Sequence, residues 1–300
     1  MTNGTKNTEN IREGYIKVTG GKVWYKISGA DKNKAPLIVL HGGPAASHYY
    51  LEPLEALSGT RPVIFYDQLG CGSSDRPTDK SLWTIEHFIE ELSQIRTALG
   101  LKKVHILGHS WGTMLAIDYM LRLSPKGIVS LILSAPCLSA KMWSLDQQKY
   151  LLELPRQMQE IIFKTEKTGN FSSKEYQDAM LYYYKLHLCR LDPWPDCLNK
   201  AFNEINYEIY KYMWGPSEFT ITGTLKSYDR ANDLYKIKIP VLFTCGEFDE
   251  ATPQAADYYH KKIPQSELFV FKGASHNHHL EKTNEYRKVV DDFLKITESE

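Results

Sequence analysis

The sequence has no excess of charge of either sign, because 36 basic residues are matched by 36 acidic residues. A chain without a basic face or a polybasic segment offers no surface for nucleic acid and no electrostatic anchor for a membrane. Its apolar runs fall well short of the roughly 20 residues that a membrane-spanning helix needs. Residues 1–14 are polar and lack the apolar segment of a secretory signal peptide. We therefore expect neither nucleic-acid binding nor membrane insertion.

The sequence also lacks any regular spacing of cysteines. Its five cysteines are scattered and odd in number, which suits neither a disulfide framework nor a zinc site: Cys71, Cys137, Cys189, Cys197 and Cys245. Reduced thiols in a cytoplasmic protein are therefore expected. With 300 residues, 42% of them hydrophobic, the chain is long enough to bury a sizeable core in one large domain or two modest ones.

Short apolar runs recur along the chain. Residues 15–28 alternate apolar and polar side chains around a Gly-Gly pair, which predicts an antiparallel hairpin. The later runs are continuous and predict parallel strands buried on both faces: PLIVLHGGP, RPVIFYDQLGCG, KVHILGHSWG, VSLILSAP, IPVLFTCGEFD and SELFVFKGASH. Helical patterns cover residues 84–99, 113–123, 253–262 and 284–296. This alternation predicts an α/β fold with a mostly parallel central sheet.

The alternation stops between about residues 138 and 231. This stretch has no strand-like run and is rich in Tyr, Met, Leu, Glu and Lys, as in EYQDAMLYYYKLHLCRL. A helical insertion of this size into an α/β sheet predicts a cap over the edge where the strands end. We therefore predict a core made of residues 1–137 and 232–300, and an all-helical cap made of residues 138–231.

One serine stands between two glycines where a strand meets a helix, in the segment GHSWG at residues 108–112. In this context G-x-S-x-G is the nucleophile elbow, a sharp turn that lifts the serine hydroxyl off the end of the strand. The positions two before and two after the serine approach one another closely, so only glycine fits. The N-terminus of the following helix favours developing negative charge. We predict that Ser110 is a nucleophile rather than part of a purely structural turn.

A serine hydroxyl needs a base, and the base needs an acid that orients it. On such a fold the chain order is Ser, then Asp or Glu, then His, with the last two on loops after later strands. Asp249 follows the strand VLFTC, and His276 is the first histidine after the strand LFVF. The alternatives nearby are Glu247 and Glu250 for the acid, and His278 and His279 for the base.

The tetrahedral intermediate of such a reaction needs two N–H donors for its oxyanion. One predicted donor is the backbone N–H of Trp111, the residue after the serine. The other is the N–H of Gly43 in HGGP, which follows the strand LIVL and can bring its backbone close without a side chain. The same four residues also form an ordinary turn pattern.

Five segments in this order resemble the proline iminopeptidase family of α/β-hydrolases: HGGPAASHYY, YDQLGCGSSDRP, GHSWGTML, GEFDEATP and GASH. The likeness covers about residues 15–294. The segment WGPSEFTITGTLKSYDR is similar to the tricorn-interacting aminopeptidase branch, which releases N-terminal residues from short peptides. The resemblance implies an α/β-hydrolase fold with an inserted cap and a triad of Ser110, Asp249 and His276.

The resemblance also implies a site for the α-amino group of the substrate. It assigns this site to Glu250, beside the triad aspartate, and to Glu218 in the cap, with Tyr210 near the same amine. Buried carboxylates bind an ammonium through charge-assisted hydrogen bonds, whereas a mid-chain amide leaves them unpaired. One departure is Ala45, which stands where the family usually has the last glycine of HGGPG. If that position needs a positive φ, alanine adds about 1 kcal/mol of strain.

The implied activity is that of a serine aminopeptidase that releases N-terminal residues, including proline, from short peptides through an acyl-enzyme. No metal or cofactor is expected. The alternative is an amino-acid amidase or esterase with the same triad. Epoxide hydrolases and dehalogenases use an Asp nucleophile, which Ser110 does not match, and a non-catalytic relative predicts a missing triad member. The aromatic residues 182–184 and Trp194 are candidates for a side-chain pocket or for the cap core. Association with a larger protease stays open, as does the preferred N-terminal residue.

Overall fold

The computed structural model describes residues 6–8 and 10–299, and within them nine strands form a single sheet. The strands are β1 (Lys6–Thr8), β2 (Ile11–Val18), β3 (Gly21–Ser28), β4 (Leu37–Leu40), β5 (Val63–Tyr66), β6 (Val104–His109), β7 (Ile128–Ser134), β8 (Val241–Gly246) and β9 (Ser266–Phe271). Their spatial order is β1-β2-β3-β5-β4-β6-β7-β8-β9. The pairs up to β3–β5 are antiparallel, and all later pairs are parallel. The predicted α/β fold with a mostly parallel sheet is confirmed.

The sheet is bordered by the predicted hairpin and by helices. The strands β2 and β3 pair antiparallel around Gly20, whose φ of 89° suits glycine in a tight turn. The helices are α1 (Ile85–Ala98), α2 (Trp111–Leu123), α3 (Ala140–Glu153), α4 (Arg156–Thr168), α5 (Lys174–His187), α6 (Asp196–Asn203), α7 (Tyr207–Met213), α8 (Pro253–His260), α9 (His278–Glu281) and α10 (Thr283–Ser299). Shorter 3₁₀ segments are Tyr49–Gly59, Lys80–Leu82 and Leu234–Lys236. Thus α1, α2, α8 and α10 confirm the four helices predicted from the sequence.

The continuous apolar runs form the central strands. Every residue of β4, β5, β6 and β8 is buried, as parallel strands covered by helices on both faces require. The carboxyl ends of these strands meet at one edge of the sheet, where open α/β sheets bind ligands. The loops that carry the predicted site residues therefore converge at that edge.

The chain between β7 and β8 contains the helices α3 to α7. In this stretch, all of which the structure describes, the only β-type pairings are the isolated bridges Ser139–Asp229 and Ser217–Thr220. The helices α3, α4 and α5 share a hydrophobic cluster that includes Leu151, Ile162 and Tyr183, whereas α6 and α7 pack into the clusters of the core. The helical insertion is therefore present, while the predicted boundaries at residues 138 and 231 stay a prediction.

A buried carboxylate stabilises the base of the insertion. The sequence predicts that Asp118 and Arg122 pair across one turn of α2, and their side chains lie 2.7 Å apart. Arg230, at the end of the insertion, also binds Asp118 at 2.8 Å. Asp118 is fully buried, so losing either arginine would leave part of its charge uncompensated.

The cysteines and the helices are consistent with the expectations drawn from the composition. All five cysteines, each within the described residues, are free thiols. Across residues 10–299, the helices are too short or too polar to cross a lipid bilayer.

A second buried carboxylate, that of Glu91 on α1, packs against the loop that follows β5. One oxygen accepts a hydrogen bond from the Leu69 N–H at 2.9 Å, and the other has no partner among the described residues. Burial raises the pKa of Glu91 to about 8, against the lowering effect of the Leu69 hydrogen bond. The folded state therefore favours the protonated, neutral form of this side chain.

We expect Glu91→Gln to stabilise the protein at alkaline pH. Because the folded pKa lies above the unfolded value, stability is full below about pH 4.5 and is lost as pH rises toward 8. The neutral amide removes that dependence and should raise the free energy of unfolding by about 4 kcal/mol at pH 8, with little change at pH 4. Urea unfolding of both proteins at the two pH values measures it. An equal effect at both would contradict the assigned protonation.

Candidate active site

Ser110 lies at the turn where β6 ends and α2 begins. Its backbone has φ 53° and ψ −119°, a positive-φ conformation that costs a non-glycine residue about 1–3 kcal/mol. Its N–H donates to the Ser134 carbonyl at 3.0 Å, and its carbonyl accepts from the Thr113 N–H at 2.8 Å. Ser110 also lines a cavity at this edge of the sheet. The backbone therefore has the sharp, strained turn that the sequence predicts.

The two glycines of GHSWG are required by close backbone contacts. A Cβ on Gly108 would lie 2.3 Å from the carbonyl oxygen of Gly112. A Cβ on Gly112 would lie 2.3 Å from the carbonyl oxygen of Leu40, at the end of β4. The prediction that only glycine fits is confirmed, and for Gly112 the tight contact is with the neighbouring strand.

His276 is held by Asp249. Nδ1 of the imidazole lies 2.7 Å from Oδ1 of the carboxylate, which also accepts the N–H of Ala251 at 2.8 Å. The other oxygen accepts the N–H of Gly246 at 3.1 Å. Burial alone would raise the pKa of Asp249, but His276 and His278 lower it to about 2. Asp249 is therefore ionised, and it fixes the orientation of the ring.

Nε2 of His276 is the nitrogen available for a reaction. In the described part of the chain it has no hydrogen-bond partner, and neither has the Ser110 hydroxyl. Both residues line the same cavity, and His109, next to Ser110, contacts the His276 carbonyl with its own ring at 3.0 Å. Burial lowers the pKa of His276, but Asp249, Glu250 and Glu218 outweigh burial and raise it to about 9.

The two rival histidines have other partners. Nε2 of His278 lies 3.0 Å from the hydroxyls of both Ser134 and Thr244, deep under the sheet edge. Nε2 of His279 lies 3.0 Å from the Tyr50 carbonyl. The described lining of the cavity includes His276 but neither rival. The geometry therefore favours His276, as its position after β9 suggested.

The loop after β4 lies against the serine. A Cβ on Gly42 would lie 3.1 Å from the Cβ of Ser110. Gly43 has φ 117°, and Ala45 has φ 75°. Alanine therefore carries the strain anticipated at this position, about 1 kcal/mol, while its buried methyl contributes about 0.8 kcal/mol in the other direction. The Ala45 carbonyl accepts the N–H of Asn206 at 3.1 Å, which ties the loop to the start of α7.

Trp111 is the first residue of α2. Its backbone N–H is one of those that a helix leaves without an internal partner, so it is free to bind an anion. Its indole N–H donates to Oε1 of Gln68 at 2.8 Å, which fixes the side chain. Trp111 and Gly43 both line the cavity. Their joint role as oxyanion donors stays a prediction.

The cavity has a volume of about 440 Å³ and extends from the sheet edge into the cap. Its walls contain seven of the eight residues singled out from the sequence: Gly43, Ser110, Trp111, Tyr210, Glu218, Glu250 and His276. The eighth, Asp249, is fully buried behind His276. The rest of the lining is largely apolar and aromatic, and includes Trp143, Tyr184, Trp194 and Phe202.

Two carboxylates face this largely apolar cavity, and among the described residues neither has a lysine or arginine partner. Glu250 is 2% exposed, and its Oε1 has no hydrogen-bond partner among the described residues. Glu218 accepts a hydrogen bond from the Tyr210 hydroxyl. Their neighbour Glu247 is instead exposed and accepts the N–H of Gly273 at 2.8 Å. Its role is therefore structural, because it connects the loop after β8 to the loop after β9. Nδ1 of His276 lies 4.0 Å from Glu250, and Asp249 already holds that nitrogen.

The electrostatics of the pair favour a cationic ligand. Burial raises the pKa of Glu250 to about 8, and the nearby carboxylates of Glu218 and Asp249 add to the rise. Burial also raises the pKa of Glu218, against the Tyr210 hydrogen bond and the charge of His276. The indole N–H groups of Trp143 and Trp214 lie near Glu218, and neither has a hydrogen-bond partner within the described part of the chain. Two repelling, desolvated carboxylates gain most from a bound ammonium.

A hydrogen-bond chain that the sequence did not reveal connects these parts. The Gly42 N–H donates to the Tyr50 hydroxyl at 2.8 Å, which lies 3.0 Å from Nδ1 of His109. Because the His276 carbonyl can only accept, Nε2 of His109 donates to it at 3.0 Å, and in the neutral ring Nδ1 then accepts from the Tyr50 hydroxyl. Burial lowers the pKa of His109 well below its usual value, so the ring is neutral. The one feature of the sequence that pointed to this hydrogen-bond chain was the position of His109 directly before Ser110.

Comparison with known proteins gives a consistent result. Residues 35–283 match the family described as alpha/beta hydrolase fold. A protein named proline iminopeptidase from Heyndrickxia coagulans is 48% identical over 283 residues, which cover 94% of this chain and 98% of that protein.

Two solved structures are also similar over nearly the whole chain. The crystal structure of a proline iminopeptidase from Mycobacterium smegmatis has a TM-score of 0.88 and 34% sequence identity, and covers 95% of this chain and 98% of that one. The crystal structure of VinJ has a TM-score of 0.91 and 32% identity, with the same shares covered.

Proposed function

The chain belongs to the proline iminopeptidase family of α/β-hydrolases, and from that premise we propose that it is a serine aminopeptidase that releases N-terminal proline, and other N-terminal residues, from short peptides. The observation that carries the proposal is a pair of carboxylates, the part-buried Glu218 and the buried Glu250, in the same cavity as Ser110 and His276. A hydrolase that acted within chains would have no ammonium to place against two desolvated carboxylates there. A cytoplasmic location, supported by the free thiols, is part of the same proposal.

The carboxylate pair would select the end of a chain. The secondary ammonium of an N-terminal proline has two N–H groups, and one oxygen from each of Glu218 and Glu250 can accept them. A primary ammonium has a third N–H, which needs a further acceptor in a largely apolar cavity. An unsatisfied donor costs about 1–3 kcal/mol. Proline is therefore the preferred first residue in this proposal, with others accepted less well.

The reaction would follow the serine-hydrolase sequence. His276 takes the proton from Ser110 as the hydroxyl attacks the first carbonyl, and Asp249 holds the imidazole in the required tautomer. The N–H groups of Gly43 and Trp111 stabilise the oxyanion. His276 then protonates the leaving amine, and water hydrolyses the acyl-enzyme to regenerate the serine.

Substrate binding would also prepare the base. In the free enzyme the carboxylates of Asp249, Glu250 and Glu218 raise the pKa of His276 to about 9, so the ring is mostly protonated at neutral pH. A bound ammonium neutralises the charge of the glutamate pair. That removes part of the stabilisation of the imidazolium, and the pKa of His276 falls toward neutrality, where a general base works best.

The test is a panel of prolyl-, leucyl-, alanyl- and phenylalanyl-β-naphthylamides together with the matching dipeptides, each scored as kcat/KM. We expect every free-amine substrate to be hydrolysed, with the prolyl compound ahead by about 10-fold because it leaves no N–H unpaired. Protein carrying Ser110→Ala, prepared in parallel, controls for contaminating peptidases. Hydrolysis of amides or esters with no turnover of any dipeptide would favour the amidase or esterase alternative instead.

A further inference from the structure

Besides Glu218 and Glu250 there is a third carboxylate, that of Glu166 on α4, and it binds the loop that carries Glu218. Oε1 of Glu166 accepts hydrogen bonds from the Ser217 hydroxyl at 2.7 Å and the Tyr176 hydroxyl at 3.1 Å. Its Oε2 accepts one from the Thr220 hydroxyl. Ser217 and Thr220 stand on either side of Glu218 in the chain, so one carboxylate on α4 holds the loop both before and after it.

This loop has little regular structure to hold it otherwise. Residues 214–223 contain neither a helix nor a strand, and their one β-type pairing is the isolated bridge between Ser217 and Thr220. Gly215 has φ 153°, which lets the chain turn sharply after α7. The Phe219 ring packs on Tyr183 at 4.9 Å. A backbone hydrogen bond from the Gly223 N–H to the Trp214 carbonyl at 2.7 Å closes the base of the loop, and the side chain of Glu166 holds the part of the loop around Glu218.

The partners of Glu166 are unusual for a carboxylate. All three are neutral hydroxyls, and the described residues offer it no ion pair. Hydrogen bonds to an ionised acceptor are about twice as strong as those between neutral groups. A half-buried carboxylate that exchanges water for three hydroxyls makes a rigid anchor, and two of its partners, Tyr176 and Ser217, line the same cavity as Glu218.

We propose that Glu166 is a positioning residue that holds Glu218 at the substrate's α-amino group. Glu166 does not touch the substrate but acts through Ser217 and Thr220. The inference rests on the proposed function, since amine binding by Glu218 is part of it. A displacement of about 1 Å at a binding group can reduce the rate about 100-fold, so loss of this anchor should be measurable.

The experiment compares two substrates that share the triad but differ in their need for the amine site: prolyl-β-naphthylamide and p-nitrophenyl acetate. We expect Glu166→Ala to lower kcat/KM for the prolyl substrate about 10- to 100-fold, mainly through KM. Hydrolysis of the acetate ester should stay within about 2-fold. Glu166→Gln keeps an acceptor oxygen and should recover part of the loss. Glu160→Gln, on the same helix but exposed and paired with Arg156, is the matched control and should behave as the parent protein.

Each result bears on the proposal. Equal losses on both substrates would mean a purely structural role and would overturn it, as would unchanged prolyl kinetics in both Glu166 variants. In a protein that already carries Glu218→Gln, adding Glu166→Ala should lower kcat/KM for the prolyl substrate only slightly further. Glu166 acts through Glu218, and that side chain is already impaired. If Glu166→Ala does not fold, Glu166→Gln supports the same comparison. A parent protein that shows no preference for free over N-acetylated prolyl substrate would refute the amine site itself, which is a separate outcome.

Discussion

Ser110→Ala should reduce kcat for prolyl-β-naphthylamide by at least about 10⁴-fold, because the acyl-enzyme can no longer form. His276→Ala should cost about as much, and the double variant should be no worse, since the two side chains act as one unit. Stopped-assay kinetics on purified proteins measure all three. The fold should persist in Ser110→Ala, because the alanine keeps the backbone turn between β6 and α2.

A matched control separates the triad from general damage to its surroundings. His279 is buried next to the site, but its Nε2 contacts the Tyr50 carbonyl, a bond that a glutamine amide can replace. His279→Gln should therefore retain activity within a few-fold once the folded fraction is matched. If instead Ser110→Ala retained more than about one hundredth of the activity, Ser110 would not be the nucleophile.

The second large effect concerns the carboxylate pair. Glu250→Gln should lower kcat/KM for prolyl-β-naphthylamide about 100-fold or more, since removing one partner of a buried charge pair costs about 2–5 kcal/mol. Glu218→Gln should act in the same direction. The parent protein should prefer free over N-acetylated prolyl-naphthylamide by at least about 100-fold. In the double variant this preference should collapse toward 1.

The control for this experiment is Glu247→Gln, on the same loop. Glu247 is exposed and binds the Gly273 N–H rather than facing the cavity, so its loss should leave the preference intact. Equal rates for free and acetylated substrate in the parent protein would contradict amine recognition by Glu218 and Glu250.

Glu250→Gln should also change the pH dependence of the reaction. The pKa of His276 is raised in part by Glu250, and His276 must be neutral to act as a base. Activity should therefore rise with pH as the imidazolium loses its proton. Removing the negative charge in Glu250→Gln lowers that pKa, so the rising limb should move to lower pH. The kcat/KM profile for p-nitrophenyl acetate, which has no amine to titrate, measures the shift.

Local patterns were enough to predict the elements that carry the site. The strand–turn–helix around Ser110, the strand ends before Asp249 and His276, and the helical insertion all follow from hydrophobic periodicity and glycine placement. The choice of His276 over its neighbours rested on order alone. The three histidines differ in the hydrogen-bond partners of their side chains, and only the folded structure shows which partners each one has.

Contacts between distant segments could not be predicted. The chain from Tyr50 through His109 to His276 spans 59 and then 167 residues along the sequence. Glu166 reaches Ser217 across 51 residues. In the sequence each of these is a single polar residue in an amphipathic or loop segment, with nothing to distinguish it from a solvated side chain. Their roles follow from burial and from the positions of their partners. Neither can be read from the sequence around each residue.

The most direct test of the central claim, that Ser110 is activated by His276 and Asp249, is reaction with a fluorophosphonate probe followed by peptide mass spectrometry. We expect one phosphonyl adduct, on Ser110, that forms in the native protein and is absent after denaturation and in His276→Ala. A native protein that stays unmodified, or that carries its adduct on another residue, would contradict it.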